Sequence, residues 1–534
     1  MYIIDNGSTQ WSNLHRTIVD LPVTLKTLYN PPISSLASLQ PLWDEVEDLI
    51  ETTPGRIRAY GARWSLSSAG SADSNGVMLE TANLNQVFRM NTYLHGTYSG
   101  SADTIRYFQS GISVRAVNDF LGSRGYALKT SGASDGQTLA GAISTGTHGS
   151  AFNVGSMQEA VVGIHVLCGK GRNYWVERSS YPVGNQQLIE ALGATLISDD
   201  DVFNALLVSF GSMGIIVGYA LEFEPVYTLE LYRERVSHAA AAAFLTQLIS
   251  PASELNTSAI ELIFPAIGKN SQDLHHIEVD VNPHDSTAAF VSIMYRSSDM
   301  TEVPFCDASG VPGNETITII GDTVNALGDV FGAWLTGTLI PLFSSTISGQ
   351  FQVCKPFVRL PRGKMFAPTT ATGGIMSVEL GIAHTDAVKA LNILTTLNSS
   401  TPFAGAFAFR FVKQTQATLG FTAFPLSCCI ELPGVGMTDT EEFYAQVFAG
   451  FESASITFTL HWGQMNDYAS GGDVKVRSRW GDTAVNSWIT ARERLLPTKQ
   501  VRDRFSNDLL EHCGLNPTVS PAGNAAVIAG VLDS

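Results

Sequence analysis

The sequence predicts a mixed α+β protein of two or three domains. Three observations carry this. At 534 residues the chain is too long for one ordinary hydrophobic core. Its content of 44% hydrophobic and 15% charged residues is that of a packed globule, not of a disordered chain. Strand-like apolar runs alternate with helix-spaced runs, and the texture changes near residue 226 and again near 466. The charge balance, 32 Lys plus Arg against 49 Asp plus Glu for a net −17, argues against a polyanionic partner such as nucleic acid.

The six cysteines (Cys168, Cys306, Cys354, Cys428, Cys429, Cys513) show neither C-x-x-C nor zinc spacing and read as scattered core thiols. No basic region followed by an apolar one opens the chain, so a cytoplasmic protein is expected. The run from Val330 to Cys354 carries no charge and is long enough to span a bilayer. Its Pro341, Gln350, Gln352 and several hydroxyls favour a buried helix followed by a strand.

Leu39 to Ile50 has the apolar spacing of a short amphipathic helix, with Leu42, Val46, Leu49 and Ile50 on one side. Arg56-Ile57-Arg58-Ala59-Tyr60 is strand-like and runs into Gly61-Ala62-Arg63-Trp64-Ser65-Leu66-Ser67, a candidate phosphate loop or a plain turn. Val77 to Leu79 reads as a strand and Ser113 to Leu121 as a helix. Ser131 to Ser150, SGASDGQTLAGAISTGTHGS, is the stretch around which the chain is organised. It holds five glycines, small hydroxyls and almost no charge. Glycine makes it a poor helix, and it lacks strand alternation. Glycine lets backbone approach a ligand closely, and successive N–H groups can hold an anion without Lys or Arg. Ala160 to Leu167 is an apolar strand in which His165 reads as a satisfied core histidine. Ser209 to Leu221 reads as a buried, glycine-punctuated strand with a bulge.

Asp135-Gly136-Gln137-Thr138 followed by Ala140 to Gly149 resembles the FAD loop of the vanillyl-alcohol-oxidase-type flavoproteins, most of all the branch of aldonolactone, alditol and flavin-linked sterol oxidases. The resemblance extends from about Tyr60 to Pro225. It implies a PCMH-type FAD-binding fold of two α/β subdomains over 1–225. A substrate-binding cap on an antiparallel sheet with flanking helices would follow over 226–465, and C-terminal helices over 466–534 would pack back on the FAD domain. FAD would be held by Ala59, Tyr60, Gly61, Ala62, Arg63, Trp64 and Ser65. The central loop would add Leu139, Ala142, Ser144, Thr145, Gly146, Thr147, His148 and Gly149, with His148 ordering the loop. Gly214, Ile215, Ile216 and Val217 would pass the flavin. Covalent members attach the flavin through a His where this chain has Trp64, whose indole cannot form that link, so non-covalent FAD is expected.

In the cap, Ala239 to Leu248 is an Ala-rich helix and Ile277 to Val281 an alternating strand. His275 and His276 are adjacent, face opposite ways on a strand and make an improbable metal site. Phe407-Ala408-Phe409-Arg410-Phe411-Val412-Lys413 alternates, with Arg410 among aromatics. It is either a paired structural arginine or, as the resemblance implies, the charge at the flavin's pyrimidine edge that favours hydride arrival. Thr459-Leu460-His461-Trp462-Gly463-Gln464 resembles the family's H-W-x-K, with Gln464 in place of Lys. Glu431 reads either as a buried carboxylate or as an edge-strand residue in solvent. Glu431 and His461 are the two candidates for the proton-accepting base.

The alditol branch has Glu where this chain has Ala408, Ser where it has Ala142, and Lys where it has Gln464. Partners for substrate hydroxyls have gone, and unpaired buried polar groups are costly. Phe407, Phe409, Phe411, Phe421, Phe424 and an apolar helix near Val330 to Phe343 stand in their place. A bulkier, more apolar alcohol than a sugar is therefore expected, with dioxygen as acceptor and hydrogen peroxide as product. The family's oxygen-gating position falls on Gly141, which leaves the path open. The alternatives are a dehydrogenase or an oxidative cyclase of the same fold, or a binding protein that has lost flavin. In the tail, Trp480 to Leu496 is helical, stopped by Pro497, and Phe505 to Leu510 follows.

Overall fold

A computed structural model describes residues 1–132, 134–305, 340, 344, 345, 351, 353, 355–366 and 374–518. Most of the expected helix and strand between Val330 and Cys354, with Cys306 and Cys354, lies outside the described residues. The other four cysteines are buried free thiols.

Three sheets organise the chain. The first joins an N-terminal hairpin, β1 (Ile3–Trp11) and β2 (Leu21–Leu28), to β3 (Ile57–Tyr60) and β4 (Val77–Glu80), in the order β1-β2-β4-β3. The hairpin is antiparallel, and β2 and β3 run parallel to β4. Helix α1 (Gln40–Thr52) enters through Pro41 in its first turn, where a missing N–H costs nothing. It buries Leu42, Val46 and Ile50 of the predicted stripe, with Trp43 fully buried beside them and Leu49 half-buried.

The second sheet contains β5 (Val87–Arg89), β6 (Ile105–Gln109), β8 (Val161–Leu167), β9 (Asn173–Glu177), β10 (Thr195–Ser198) and β11 (Ile215–Glu222) in the order β10-β9-β8-β11-β6-β5. A short β7 (Tyr126–Ala127) pairs with β12 (Glu224–Pro225). The β8–β11 register slips between Ile216 and Gly218, the bulge the glycines suggested. His165 on β8 lies between the Tyr107 hydroxyl at 3.0 Å and Asn173 Oδ1 at 2.7 Å, and burial pushes it down to about 4. It is a satisfied core histidine. Helices α2 (Val114–Gly122), capped by Ser113, α4 (Gln186–Leu192) and α5 (Asp200–Leu207) surround this sheet.

The third sheet is antiparallel throughout: β13 (Thr228–Val236), β14 (Leu274–Val281), β15 (Ala289–Ser297), β16 (Val358–Pro361), β17 (Ile375–Ala383), β18 (Phe407–Lys413), β19 (Leu426–Val435) and β20 (Phe458–Leu460), in the order β16-β13-β15-β14-β18-β19-β17-β20. Period-2 alternation gives it two faces. Ile277, Val279, Phe407, Phe409, Ile430 and Leu432 point into the core under α6 (His238–Leu248), α7 (Ala387–Ser400) and α8 (Thr438–Ser453). Glu278, Asp280, Arg410, Glu431 and Glu379 alternate with them and share the opposite face.

That alternation corrects one expectation. Phe407, Phe409 and Phe411 do not widen an apolar substrate pocket. They lie in the hydrophobic core on the face away from Arg410, and Phe407 stacks on Phe443 of α8 with ring centroids 6.0 Å apart.

The expected helix Trp480 to Leu496 is one helix, α10 (Asp482–Leu495), and a separate helix, α9 (Gly472–Trp480), precedes it across Gly481 with φ +84°. Helix α10 packs on α5 through Trp488 Nε1, which donates to the Val208 carbonyl at 3.2 Å. Buried Arg492 donates to the carbonyls of Ser212 and Arg502. Two short helices, α11 (Lys499–Arg504) and α12 (Asp508–His512), follow. No helix among the described residues is long and apolar enough to cross a membrane.

Candidate active site

A second correction concerns the glycine-rich stretch. Seven of its residues form a helix, α3 (Leu139–Thr145), begun at Thr138 and ended by Gly146 in the left-handed conformation, φ +86°. Tertiary contacts override the glycine penalty. Leu139 N bonds the Ile112 carbonyl, Ala140 N the Ser110 carbonyl, and Phe210 N the Ser144 carbonyl. Leu139 and Ile143 enter the core.

The loop after β3 meets α3 edge to edge. A Cβ on Gly61 would stand 2.0 Å from Thr138 Oγ1, so only glycine permits the contact. Both loops line one large cavity whose empty space, open mouth included, is about 1720 Å³. Ala59, Tyr60, Gly61, Ala62, Arg63, Trp64 and Ser65 border it. So do Ala142, Ser144, Thr145, Thr147 and His148, with Gly214 and Ile216. Leu139, Gly146, Gly149, Ile215 and Val217, expected at the cofactor, are not on the cavity wall. Leu139, Ile215 and Val217 are core side chains, Gly146 caps α3, and Gly149 packs on the Ser131 carbonyl.

The opposite wall comes from the third sheet: Ile375, Ser377, Glu379, Arg410, Glu431, Pro433, His461 and Gln464. All four residues singled out for the chemistry are therefore on this one wall. Register explains how. Asp280, Ala408, Glu431 and Glu379 oppose one another across β14, β18, β19 and β17, and Glu278 opposes Arg410. His461 N then bonds the Glu379 carbonyl at 3.1 Å. Arg410 is a paired arginine on the cavity wall. Its Nε donates to Glu278 Oε1 at 2.7 Å, its Nη1 to Glu431 Oε2, and Glu379 Oε1 lies 3.6 Å from Nη1. Burial acts against its charge, but Glu431, Glu278 and Glu379 hold its proton more tightly than usual. Glu431 is not an edge residue, since β19 lies between β18 and β17.

Glu379 was missed, although a lone acidic residue inside the alternating run IMSVELGIA is a signal. Its Oε1 lies 2.9 Å from His148 Nε2, and the other His148 nitrogen lies 2.7 Å from the Gly149 carbonyl. Burial pushes the Glu379 carboxyl up, but His148 and then His461 and Arg410 outweigh this and hold it well below the usual range. Burial pushes Asp280 well up, and Glu278 adds to the rise. His461 is pushed down to about 4 by burial. Trp462 is structural: its Nε1 donates to the Leu419 carbonyl at 2.8 Å, and its ring stacks on Phe210 at 4.3 Å. His275 and His276 build no metal site, and among the described residues no cluster could hold one.

The two-loop wall fits an anionic dinucleotide. Arg58 is fully buried beside Phe210 and Gly211. Its Nη1 donates to the Phe210 carbonyl at 2.9 Å, while Nε and Nη2 have no hydrogen-bond partner among the described residues. Burial, and then Arg56, lowers it to about 9. The buried Gln137 Oε1 is also without a hydrogen-bond partner among the described residues.

Residues 44–177, which hold both loops, match the model of an FAD binding domain. The chain is 27% identical over 198 residues to D-arabinono-1,4-lactone oxidase of Saccharomyces cerevisiae, covering 36% of this chain and 33% of that protein. It is 31% identical over 187 residues to a long-chain alcohol oxidase of an uncultured marine euryarchaeote, covering 35% and 33%. The matched part thus spans about a third of the length of these curated relatives, 33% in each. The crystal structure of cholesterol oxidase from B. sterolicum superposes with a TM-score of 0.69 at 13% identity, covering 96% of this chain and 97% of that one. A solvent-stable cholesterol oxidase gives 0.67 over 96% and 98%. Residues 44–177 thus carry an FAD-binding domain. Over nearly its whole length the chain has the fold of cholesterol oxidase.

Proposed function

We propose that the protein is an FAD-dependent oxidase that takes a hydride from an alcohol-type C–H bond of a bulky, fairly apolar small molecule and gives hydrogen peroxide. One observation carries the reading: a single cavity has the FAD-type loops on one wall and the Arg410 carboxylate cluster on the other. FAD, held without a covalent bond, supplies the hydride acceptor. Gly61 to Ser65 and Thr138 to His148 hold its diphosphate end, and Arg58 adds positive charge there. Arg410 supplies a fixed charge at the reacting end, worth most where water is excluded. Glu431 is the base. Its side chain is 19% exposed against 5% for Glu379, and its Oε2 is engaged by Arg410. Oε1, 3.4 Å from the Ser377 hydroxyl, takes the substrate proton. His461, pushed down by burial, stays neutral and lines the wall.

Support for an apolar substrate now rests on Ile375 and Pro433 beside the cluster, and on Gln464 and Ala408 where the resembled family has charged groups. Relatives named for cholesterol and long-chain alcohols point the same way. Oxidase chemistry is favoured over a dehydrogenase by Gly141, which lines the cavity and whose place a Cβ would share with Thr138 Oγ1 alone, 3.2 Å away. The test is an absorbance spectrum before and after acid precipitation, then a peroxide-coupled screen of long-chain, terpenoid, steroid and aromatic alcohols. Flavin bands that move to the supernatant, with peroxide from an apolar alcohol, support the reading. Protein that takes up no FAD overturns it in favour of a binding protein.

A further inference from the structure

We propose that the turn of the N-terminal hairpin, residues 12–20, is part of the cofactor site: it clasps the Gly61–Ser67 loop from behind and presents His15 to the bound dinucleotide. The proposal rests on the reading of a reversibly bound FAD. The turn lies before the stretch that matches the FAD-domain model, which begins at residue 44.

Asn13 builds the turn. It is 4% exposed; its Nδ2 donates to Thr17 Oγ1 at 2.6 Å, and its Oδ1 accepts from Ile18 N at 3.0 Å. The same Nδ2 reaches the Ser65 carbonyl at 2.8 Å. Leu14 N donates to the Arg63 carbonyl at 2.8 Å, and Thr17 Oγ1 to the Leu66 carbonyl at 2.7 Å. Three carbonyls of one phosphate loop are thus engaged from one side by one turn. In a trans peptide the C=O and N–H point opposite ways. Holding the Arg63 carbonyl from behind therefore turns the Trp64 N–H away from the clasp. Drawing carbonyl oxygens back also removes partial negative charge from the path of an anion. Arg63 itself has φ +60°, a left-handed conformation uncommon for a residue other than glycine. The Leu14 bond fixes its carbonyl in that conformation.

The hairpin also reaches the cavity. Trp11 and His15 both line it. The His15 ring meets Trp64 edge-on, centroids 5.8 Å apart at 85°, and Trp11 meets Tyr60 at 5.8 Å and 75°. Trp64 in turn rests on the central loop, since a Cβ on Gly136 would stand 2.6 Å from Trp64 Cζ2. His15, Trp64 and Gly136 therefore form one chain of contacts across the clasp, the first loop and the second. With Trp64 in place of an anchoring histidine, this chain of contacts and its three hydrogen bonds retain the cofactor, and release requires them to open.

The experiment measures FAD release from the holoprotein by recovery of flavin fluorescence on dilution. It compares wild type with Asn13→Ala, His15→Ala and, as a control on the same hairpin, Lys26→Ala, whose ion pair to Asp5 is remote from the loop. Asn13→Ala should release FAD about fivefold faster, the ratio set by one net hydrogen bond. His15→Ala should shift in the same direction, and Lys26→Ala should match wild type. As a second readout, tryptic cleavage after Arg16 should be slow in holoprotein and fast in apoprotein. Wild-type FAD binding with both test variants releasing at the wild-type rate overturns the clasp alone. Wild type that takes up no FAD, or keeps it through acid precipitation, overturns the cofactor reading and the clasp with it. If Asn13→Ala fails to fold, His15→Ala and the cleavage pattern decide.

Discussion

Replacing Arg410 with methionine should destabilise the protein in a way that depends on pH. The guanidinium is shared by Glu278, Glu431 and Glu379, and the four side chains are only 14, 12, 19 and 5% exposed. Removing one partner from a buried charge cluster costs about 3–5 kcal/mol, because the remaining charges stay buried and uncompensated. Part of the compensation survives in Arg410→Met: Glu379 keeps His148 at 2.9 Å, and Glu278 keeps His276 at 3.4 Å. The lower end, about 3 kcal/mol at neutral pH, is the expected loss.

The pH dependence follows from the direction of the shifts. Burial raises the carboxyls of Glu278 and Glu379, but the cationic neighbours hold both below the ordinary 4.5 in the folded protein. A depressed carboxyl adds stability that is present above its unfolded value and is lost as pH falls through the folded one. In Arg410→Met Glu278 loses its largest opposing charge, while Glu379 keeps His148 and His461, so the carboxyls, Glu278 above all, titrate higher and the variant falls further behind wild type as pH rises. The gap between wild type and variant should be widest at pH 7–8 and should narrow as pH falls towards 4, because the variant's carboxyls take up protons before those of wild type. Thermal unfolding of the flavin-free proteins from pH 4 to 8 measures this. Two parallel pH curves, or a variant as stable as wild type at pH 8, would refute the charge-sharing account.

Three further outcomes are expected. Glu379→Gln removes the partner of His148 and the Coulombic support of His461, whose imidazole should fall further below its already low value of about 4. Peroxide formation should drop at least tenfold while FAD stays bound, and an unchanged turnover would count against a role for this wall. Gly141→Ala should slow reoxidation of the reduced flavin by oxygen in stopped flow, with little loss of stability, because the added methyl meets only Thr138 Oγ1 at 3.2 Å; an unaltered rate would leave the oxygen route elsewhere. Gly61→Ala places a methyl 2.0 Å from Thr138 Oγ1 and must push the two loops apart. FAD affinity, read by fluorescence quenching, should fall by an order of magnitude or more; wild-type affinity would show that the junction is not part of the cofactor site.

What was legible in the sequence follows the physics of each signal. The glycine spacing of 131–150 and the loop after Tyr60 were readable because close backbone approach leaves few residue choices. Even so, the seven-residue helix inside the first was hidden, since its support comes from Ser110, Ile112 and Phe210, remote in sequence. The strand around Arg410 was readable from its alternation, but which face met the cavity was not: Phe407, Phe409 and Phe411 lie in the core, and only Phe421 of the expected aromatics packs on His148 and His461. Glu379 and Glu278 join the site through register across β17, β19, β18 and β14, a long-range property that no local window contains. The N-terminal hairpin gave no apolar alternation because β1 is an edge strand, exposed from Ile4 to Gln10.

The two loops and the third sheet behave as one construction. Ser150, just past His148, inserts between two strands of that sheet: its Oγ donates to the Ile277 carbonyl and accepts from Phe411 N at 3.0 Å. Ala151 then bridges to His276. On the other side, Leu66 N donates to the Gly463 carbonyl at 2.7 Å, and Ser67 Oγ to the carbonyl of Trp462. Each phosphate loop is therefore stitched to the sheet that carries Arg410, Glu379 and Glu431, and the His148–Glu379 contact closes the seam between them. Opening the sheet as a lid would break all of these bonds and expose a buried ion pair. The charges of the Arg410 cluster are thus fixed relative to the two glycine-rich loops, and at the proposed site that is the condition under which electrostatic stabilisation needs no reorganisation during the reaction.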